Sequence, residues 1–240
     1  MNNLNRLGAF LAAGMFLGTQ GAAHLITERE LSKAGDLSFR SGHARELLGK
    51  SYDRSIVRNA EWSYGMEHFI LSQSEEHLPE AYSYKATQVA AAILVESARH
   101  RLDPVFTMSV VNHESRFNPS AVGTHGEIGL MQIKPDTAEW IARKTGIQWL
   151  GAKALYEPAY NIKIGTAYLA MLRKKFSSHG GYYLAAYNMG ARALKRSTEM
   201  TGGLPQEYSS KVMRNYLMFY NELGRSQAPL VAAPRETKRI

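Results

Sequence analysis

The 240-residue chain contains no cysteine. That absence excludes disulfides, thiolate metal sites, thiol catalysis and a lipid-modified cysteine at an export cleavage site. Alternating strand patterns are scarce and no internal repeat is visible, so the expected class is mainly α. A glycine-rich segment exists, but it has neither a P-loop lysine nor a preceding strand, and a nucleotide loop is therefore not expected. Zinc-peptidase spacing is missing too: the position four after His113 is Phe117, not histidine. The remaining histidines are scattered, so no metal and no cofactor are expected.

What is present starts with "MNNLNRLGAFLAAGMFLGTQGAA", which has a basic residue at Arg6, a short apolar run and a small-residue exit at Ala23. That order reads as a secretory signal over residues 1–23, and the run is too short to span a bilayer comfortably. An uncleaved anchor is the alternative. Export to the periplasm or cell envelope is the expectation. The net charge is +8, and losing residues 1–23, with one base and no acid, lowers it by one. A basic exported chain suits a polyanion such as the cell wall, though charge also serves solubility. No basic nucleic-acid motif is recognisable, so no nucleic-acid partner is expected.

Apolar spacing divides the remainder. Residues 24–84 carry amphipathic stripes (Leu47, Leu48, Tyr52 and Ile56, then Trp62, Met66, Phe69 and Ile70) with a break at Pro79. They predict a helical N-terminal extension that packs on the main domain or docks an envelope partner. "ATQVAAAILVESARHRL" predicts a helix, and Asp103-Pro104 starts another, "PVFTMSVVNHES", apolar nearly all round as in a buried helix. Further helices are expected over 135–145, 158–176, 181–192 and 207–223, with a disordered tail over 224–240.

Glu114 lies at the carboxyl end of the buried helix. The negative end of the helix dipole and apolar neighbours both favour its protonated form, as a general acid requires. Ser115 can bond that carboxyl or the open carbonyls of the last turn. "GTHGEIGLMQIKPDTA" spaces Gly123, Gly126 and Gly129 three apart, allowing close backbone approach, with Gln132 offering donor and acceptor. "LAAYNMGARAL" sets Tyr187 and Asn188 before Gly190, a ring face for a sugar and an amide for an N-acetyl group. Each motif also has an ordinary reading: a solvated glutamate, a loop, a core tyrosine with a capping asparagine.

Together, Glu114-Ser115 with "NPSA", Gly129-Leu130-Met131-Gln132, "YNIKIGTAYL", Ala186-Tyr187-Asn188 and Tyr208 with Lys211-Val212 resemble the lytic transglycosylase family, most closely the soluble type, over residues 85–223. The resemblance implies a lysozyme-like helical fold whose glycine-rich loop borders a cleft. It implies peptidoglycan glycan strands as substrate, cut between N-acetylmuramic acid and N-acetylglucosamine. It further implies Glu114 as sole acid and base, Ser115 as its orienting neighbour, Met131 and Gln132 lining the cleft, Tyr187 and Asn188 on the sugar, and Tyr208 hydrogen-bonded to Glu114. A single carboxylate suffices if the substrate supplies its own nucleophiles. The chain departs from the family pattern at Gly123, where serine is usual, and at Glu127, where alanine is usual. A second carboxylate opens the alternative of a hydrolytic muramidase, and a fault at either position that of a non-catalytic wall-binding protein. A monomer is expected.

Overall fold

A computed structural model describes residues 39–60 and 65–231, with side chains to residue 226. The signal segment, the start of the extension, Trp62 and the last nine residues lie outside the described part. Ten α-helices and three short 3-10 turns make up its regular structure, and there is no strand among the described residues. The mainly α expectation holds.

The N-terminal block contributes α1 (Arg40–Leu48), α2 (Ile56–Asn59) and α3 (Met66–His77). Its apolar stripe is buried where predicted, at Tyr52, Met66, Phe69 and Ile70. The block is tied in by polar contacts as well. Arg173 grips Glu46 through two bonds of 2.6 and 2.5 Å, the bidentate geometry that makes such pairs strong. His43 accepts the Asp103 backbone N–H at Nδ1 (2.9 Å) and meets the Tyr183 hydroxyl at Nε2 (2.9 Å). Burial, then Arg173, lowers the His43 pKa, so the imidazole stays neutral and both its nitrogens are used.

The remaining helices are α4 (Ala86–His100), α5 (Pro104–Ser115), α6 (Pro135–Thr145), α7 (Pro158–Lys175), α8 (Gly180–Met189), α9 (Ala191–Thr201) and α10 (Glu207–Val231). α4 lies against α3 and α7, and α5 against α10. The α5 helix begins as its sequence dictates: Asp103 caps it by accepting from Val105 N at 2.9 Å, with Pro104 in the first turn. Residues 104–111 are all buried, so α5 is a central rod that delivers its carboxyl end to the surface.

Two helical expectations differ. The span 181–192 is two helices, because Gly190, at φ 82°, breaks the chain and α9 follows as a separate amphipathic element. The α10 helix runs eight residues past the expected end at Leu223; Gly224 does not stop it, since neighbouring Glu222, Leu223 and Arg225 are good helix formers. The described part of the 224–240 tail is thus helical up to Val231. No described helix is long and apolar enough to cross a membrane.

Candidate active site

Where α5 ends, the chain takes two consecutive left-handed conformations at non-glycine residues, Arg116 (φ 50°) and Phe117 (φ 59°). Such conformations cost of order 1–3 kcal/mol each and persist only where surroundings enforce them. Here the enforcing contact is the Phe117 side chain, which is fully buried. The reversal leaves Glu114 and Ser115 in the last turn, partly exposed.

Glu114 Oε1 accepts a short hydrogen bond from the Tyr208 hydroxyl of α10. Burial pushes the Glu114 pKa up to about 7; the bond from Tyr208 opposes the rise and the charge of Glu127 adds to it. Burial and then the Glu114 charge raise the Tyr208 pKa well above its usual range, so the phenol remains a donor. A carboxyl that titrates near neutrality can release and recover a proton at little cost in either direction. Around it sit three more rings. His113 meets Tyr208 edge-on with ring centres 4.9 Å apart, Tyr187 of α8 stacks on Tyr208 at 6.5 Å, and Tyr168 of α7 lies 5.3 Å from Tyr187. Burial, then Lys211, lowers the His113 pKa.

The glycine-bearing loop is folded on itself through the antiparallel bridges Val122 to Ile128 and Ile128 to Ile133. Gly129 (φ 79°) is required twice over: a Cβ there would fall 2.3 Å from the Leu155 carbonyl oxygen and 2.4 Å from Asn161 Nδ2. Asn161, fully buried on α7, clamps the loop from behind. Its Oδ1 accepts from Met131 N (2.7 Å), and its Nδ2 donates to the Ile128 and Leu155 carbonyls (2.8 Å each).

The predicted site residues divide accordingly. Tyr208 makes the expected bond to Glu114. Ser115 spends its hydroxyl on the Leu130 carbonyl (2.9 Å) and on Val111 (3.2 Å), joining helix end to loop instead of meeting the carboxyl. Met131 does not line a groove: its side chain is fully buried against Gly165, where an added Cβ would approach Sδ to 2.4 Å. Its carbonyl accepts from the Tyr187 hydroxyl at 2.8 Å, so that hydroxyl is committed within the protein. Gln132, at φ 47°, donates from Nε2 to the Gly129 (2.8 Å) and Ala121 (3.2 Å) carbonyls and stays partly exposed. Asn188 is exposed at the end of α8. Glu127 pairs with Lys134 (3.3 Å). A separate surface hollow lies between α1, α2 and α10, lined by Leu48, Lys50, Arg54, Ile56 and Leu217, and includes none of these residues.

Sequence reasoning passed over Asn161 and His113. A polar residue on the apolar stripe of α7 was the available signal for Asn161. His113 had none beyond its place beside Glu114.

The chain is similar to several known proteins. A putative soluble lytic murein transglycosylase of Haemophilus influenzae is 26% identical over 234 residues, covering 90% of this chain and 39% of that protein. A membrane-bound lytic murein transglycosylase C of Histophilus somni is 27% identical over 181 residues, covering 72% of this chain and 48% of that one. The crystal structure of the 70 kDa soluble lytic transglycosylase from Escherichia coli is 19% identical with a TM-score of 0.49, covering 93% of this chain and 41% of its own. The chain thus spans less than half the length of these relatives. Residues 91–209, which include Glu114 and the loop and reach past Tyr208, match the family model described as the Transglycosylase SLT domain. Over that stretch, the chain matches an SLT-type transglycosylase domain.

Proposed function

We propose that the protein is a peptidoglycan lytic transglycosylase that cuts the β-1,4 bond between N-acetylmuramic acid and N-acetylglucosamine and leaves 1,6-anhydro ends. The observation that carries this reading is the single carboxyl at the end of α5, hydrogen-bonded by Tyr208 and titrating at about 7 beside the Gly129–Gln132 loop. The SLT match over the same residues supports it.

In this mechanism Glu114 first gives its proton to the bridging oxygen, which leaves as the 4-hydroxyl of the glucosamine. The acetamido oxygen of the muramic residue attacks C1 and holds the positive charge as an oxazolinium. Glu114, now a carboxylate, takes the proton of the same sugar's C6 hydroxyl. That oxygen attacks C1, the oxazolinium opens, and the 1,6-anhydro ring closes. One side chain serves as acid and then base, so the reaction needs a carboxyl whose two forms are close in free energy. The ring closure is intramolecular, which supplies the proximity that an external water would lack. Tyr208 keeps the carboxyl oriented in both forms. Gln132, partly exposed, and Asn188, exposed, follow in sequence the two residues joined by the buried Met131–Tyr187 bond, and they are the contacts for the sugar and its acetamido groups.

A hydrolytic muramidase would use Glu127 to activate water. Glu127 is engaged by Lys134 and by the His125 backbone N–H, which argues for a fixed charge instead of a mobile base. Digestion of purified sacculi with mass spectrometry of the products tests the proposal. Anhydro ends support it; reducing ends make the protein a muramidase; no fragments make it a binder. The site of action in this reading is the cell envelope, with residues 24–84 serving as scaffold or as a partner surface.

A further inference from the structure

The hollow between α1, α2 and α10 belongs neither to the Glu114 site nor to the loop beside it. Leu217, in its lining, lies two and a half helical turns past Tyr208, about 14 Å along α10 and on the opposite side of that helix. The hollow has a volume of about 530 Å³, inside the range of roughly 300–1,000 Å³ typical of ligand sites. Its walls are fixed by local structure. Tyr52 turns inward and is buried, with the Arg45 guanidinium carbon 4.4 Å from its ring centre. Ser55 locks the corner into α2: its hydroxyl donates to the Tyr52 carbonyl at 2.6 Å and accepts the Arg58 N–H at 3.3 Å.

Three kinds of group line it. Leu48, Ile56 and Leu217 are apolar and partly buried against the core. Lys50 and Arg54 are exposed, and among the described residues neither side chain has an ion-pair or hydrogen-bond partner. No acid is among the lining residues; Asp53, in the same turn, is matched to Arg45 at 3.8 Å. On α10, Arg214 precedes Leu217 by one turn and Arg225 follows Asn221 by one turn, so positive charge continues along that helix face. Hydrogen-bonding capacity remains as well. Asn221 spends Nδ2 on the Leu217 carbonyl at 2.9 Å, which leaves its Oδ1 as an acceptor beside the Ser51 hydroxyl in the lining. Unpaired cations, apolar side chains and open acceptors call for carboxylates, small apolar groups and N–H donors in one short ligand. A bare phosphate polymer offers only the charge, whereas a peptide with free carboxylates offers all three.

We propose that this hollow is a second wall-binding site, which takes the acidic stem peptide of peptidoglycan: Lys50 and Arg54 meet its carboxylates, and Leu48, Ile56 and Leu217 receive its methyl groups. The site supplies no reacting group. It holds the protein on the polymer away from the bond being cut, and engagement at two places raises retention well above that of either alone. The identity of the ligand rests on the reading of peptidoglycan as substrate, but its binding can be measured without catalysis.

The experiment titrates the full chain carrying Glu114→Gln, labelled with 15N, with the N-acetylated stem tetrapeptide Ala-γ-Glu-diaminopimelate-Ala. Amide shifts should centre on Ser51, Ile56, Leu217 and Asn221. Lys50→Glu combined with Arg54→Glu should weaken binding about tenfold or more, and Leu217→Gln should weaken it with the charge unchanged. Arg143→Glu combined with Lys144→Glu makes the same charge change at the exposed end of α6 and should alter binding by less than about twofold. Equal losses in the two double variants would reveal a general attraction between opposite charges and overturn the proposal. It is overturned too by an absence of shifts, or by shifts confined to Gln132 and Asn188, which would place the peptide at the Glu114 site. Phosphatidylglycerol vesicles that bind through Lys50 and Arg54 while the tetrapeptide does not would make the surface a membrane contact instead. In sedimentation with intact sacculi, the Lys50→Glu, Arg54→Glu protein should be retained several-fold less, and sacculi stripped of their stems should not distinguish it from its parent. If the tetrapeptide fills the hollow and the natural chain never cuts sacculi, the transglycosylase reading fails while this inference stands; cut sacculi with a silent hollow sink this inference alone.

Discussion

The Tyr208 hydroxyl of α10 is the hydrogen-bond donor to Oε1 of Glu114, which joins the two helices at the point where the buried rod α5 reaches the surface. The bond opposes the effect of burial on Glu114, because it favours the ionised carboxyl. Tyr208→Phe should therefore raise the Glu114 midpoint by about half a unit to one unit and shift the basic limb of sacculus digestion upward. The rate at the optimum should fall about 10- to 100-fold, since the carboxylate formed after proton transfer loses its partner. A limb that stays in place or moves downward contradicts this account of the site.

Glu114→Gln should cut formation of anhydro products about 10³-fold or more, with the helical circular dichroism retained. The same change should stabilise the protein at alkaline pH. The folded pKa of Glu114, about 7, lies above the ordinary glutamate value of 4.5, so its favourable contribution is complete below about 4.5 and is lost as pH rises through 7. Above pH 7 the folded state must hold a partly buried anion, at a cost of up to about 2–3 kcal/mol. Glutamine removes that cost. The variant should melt several degrees higher than the natural chain at pH 8 and at nearly the same temperature at pH 4.

Much of this arrangement was readable from residue order, and the part that was not has a physical cause. Helix α5 was legible because Asp103-Pro104 is a strong start signal and the apolar run after it is unbroken. Its end was not: Arg116 and Phe117 take left-handed conformations that no glycine announces, imposed by the long-range burial of Phe117. Glu114 and Tyr208 were found as a pair by family pattern. Their bond spans 94 positions of sequence, which local periodicity cannot reveal. Met131 was read as a cleft residue, yet Gly165 of α7 opens a slot that takes its side chain inward. That slot depends on packing between a loop and a distant helix. The helix expected over 181–192 ran through Gly190, and the separate helix beyond it was not legible, because α9 buries only Leu194 and its amphipathic pattern rests on few apolar residues.

Asn161→Ala should disable the loop without unfolding the protein. It deletes the partner of Met131 N and of the Ile128 and Leu155 carbonyls, groups that lie behind the loop. Leaving such groups unsatisfied costs about 1–3 kcal/mol each unless water enters, and here the loop is free to shift on α7. The expected result is a melting temperature lower by several degrees and a rise in KM larger than the fall in kcat, as Gln132 loses its place. Amide hydrogen exchange should accelerate at Gly129 and Gln132 and stay slow in α4. Protection that remains unchanged at the loop would show that the clamp is dispensable.

Asp103 governs whether α5 is held at its other end. The carboxylate caps the helix at Val105 N and accepts from both Tyr216 (2.8 Å) and Tyr220 (2.6 Å), all of them buried. Burial raises its pKa in spite of Arg40, the two tyrosines and the backbone bond, so part of its stabilising contribution is lost as pH rises through that folded value. Asp103→Ala removes the cap, worth about 1 kcal/mol, and strands two phenol hydroxyls facing the neighbourhood of Arg40. The sum should be about 3 kcal/mol or more, a loss of roughly 8 °C in a chain of this size. Asp103→Asn keeps an acceptor for the cap and one phenol and should lose about half as much. The difference between Asn and Asp should narrow with increasing pH, because only the aspartate bears the cost of ionising in the core. Thermal melts of the three proteins over a pH series that starts below 3.8 measure both effects, and equal melting temperatures for Ala and Asn would show that the two tyrosines do not depend on this acceptor.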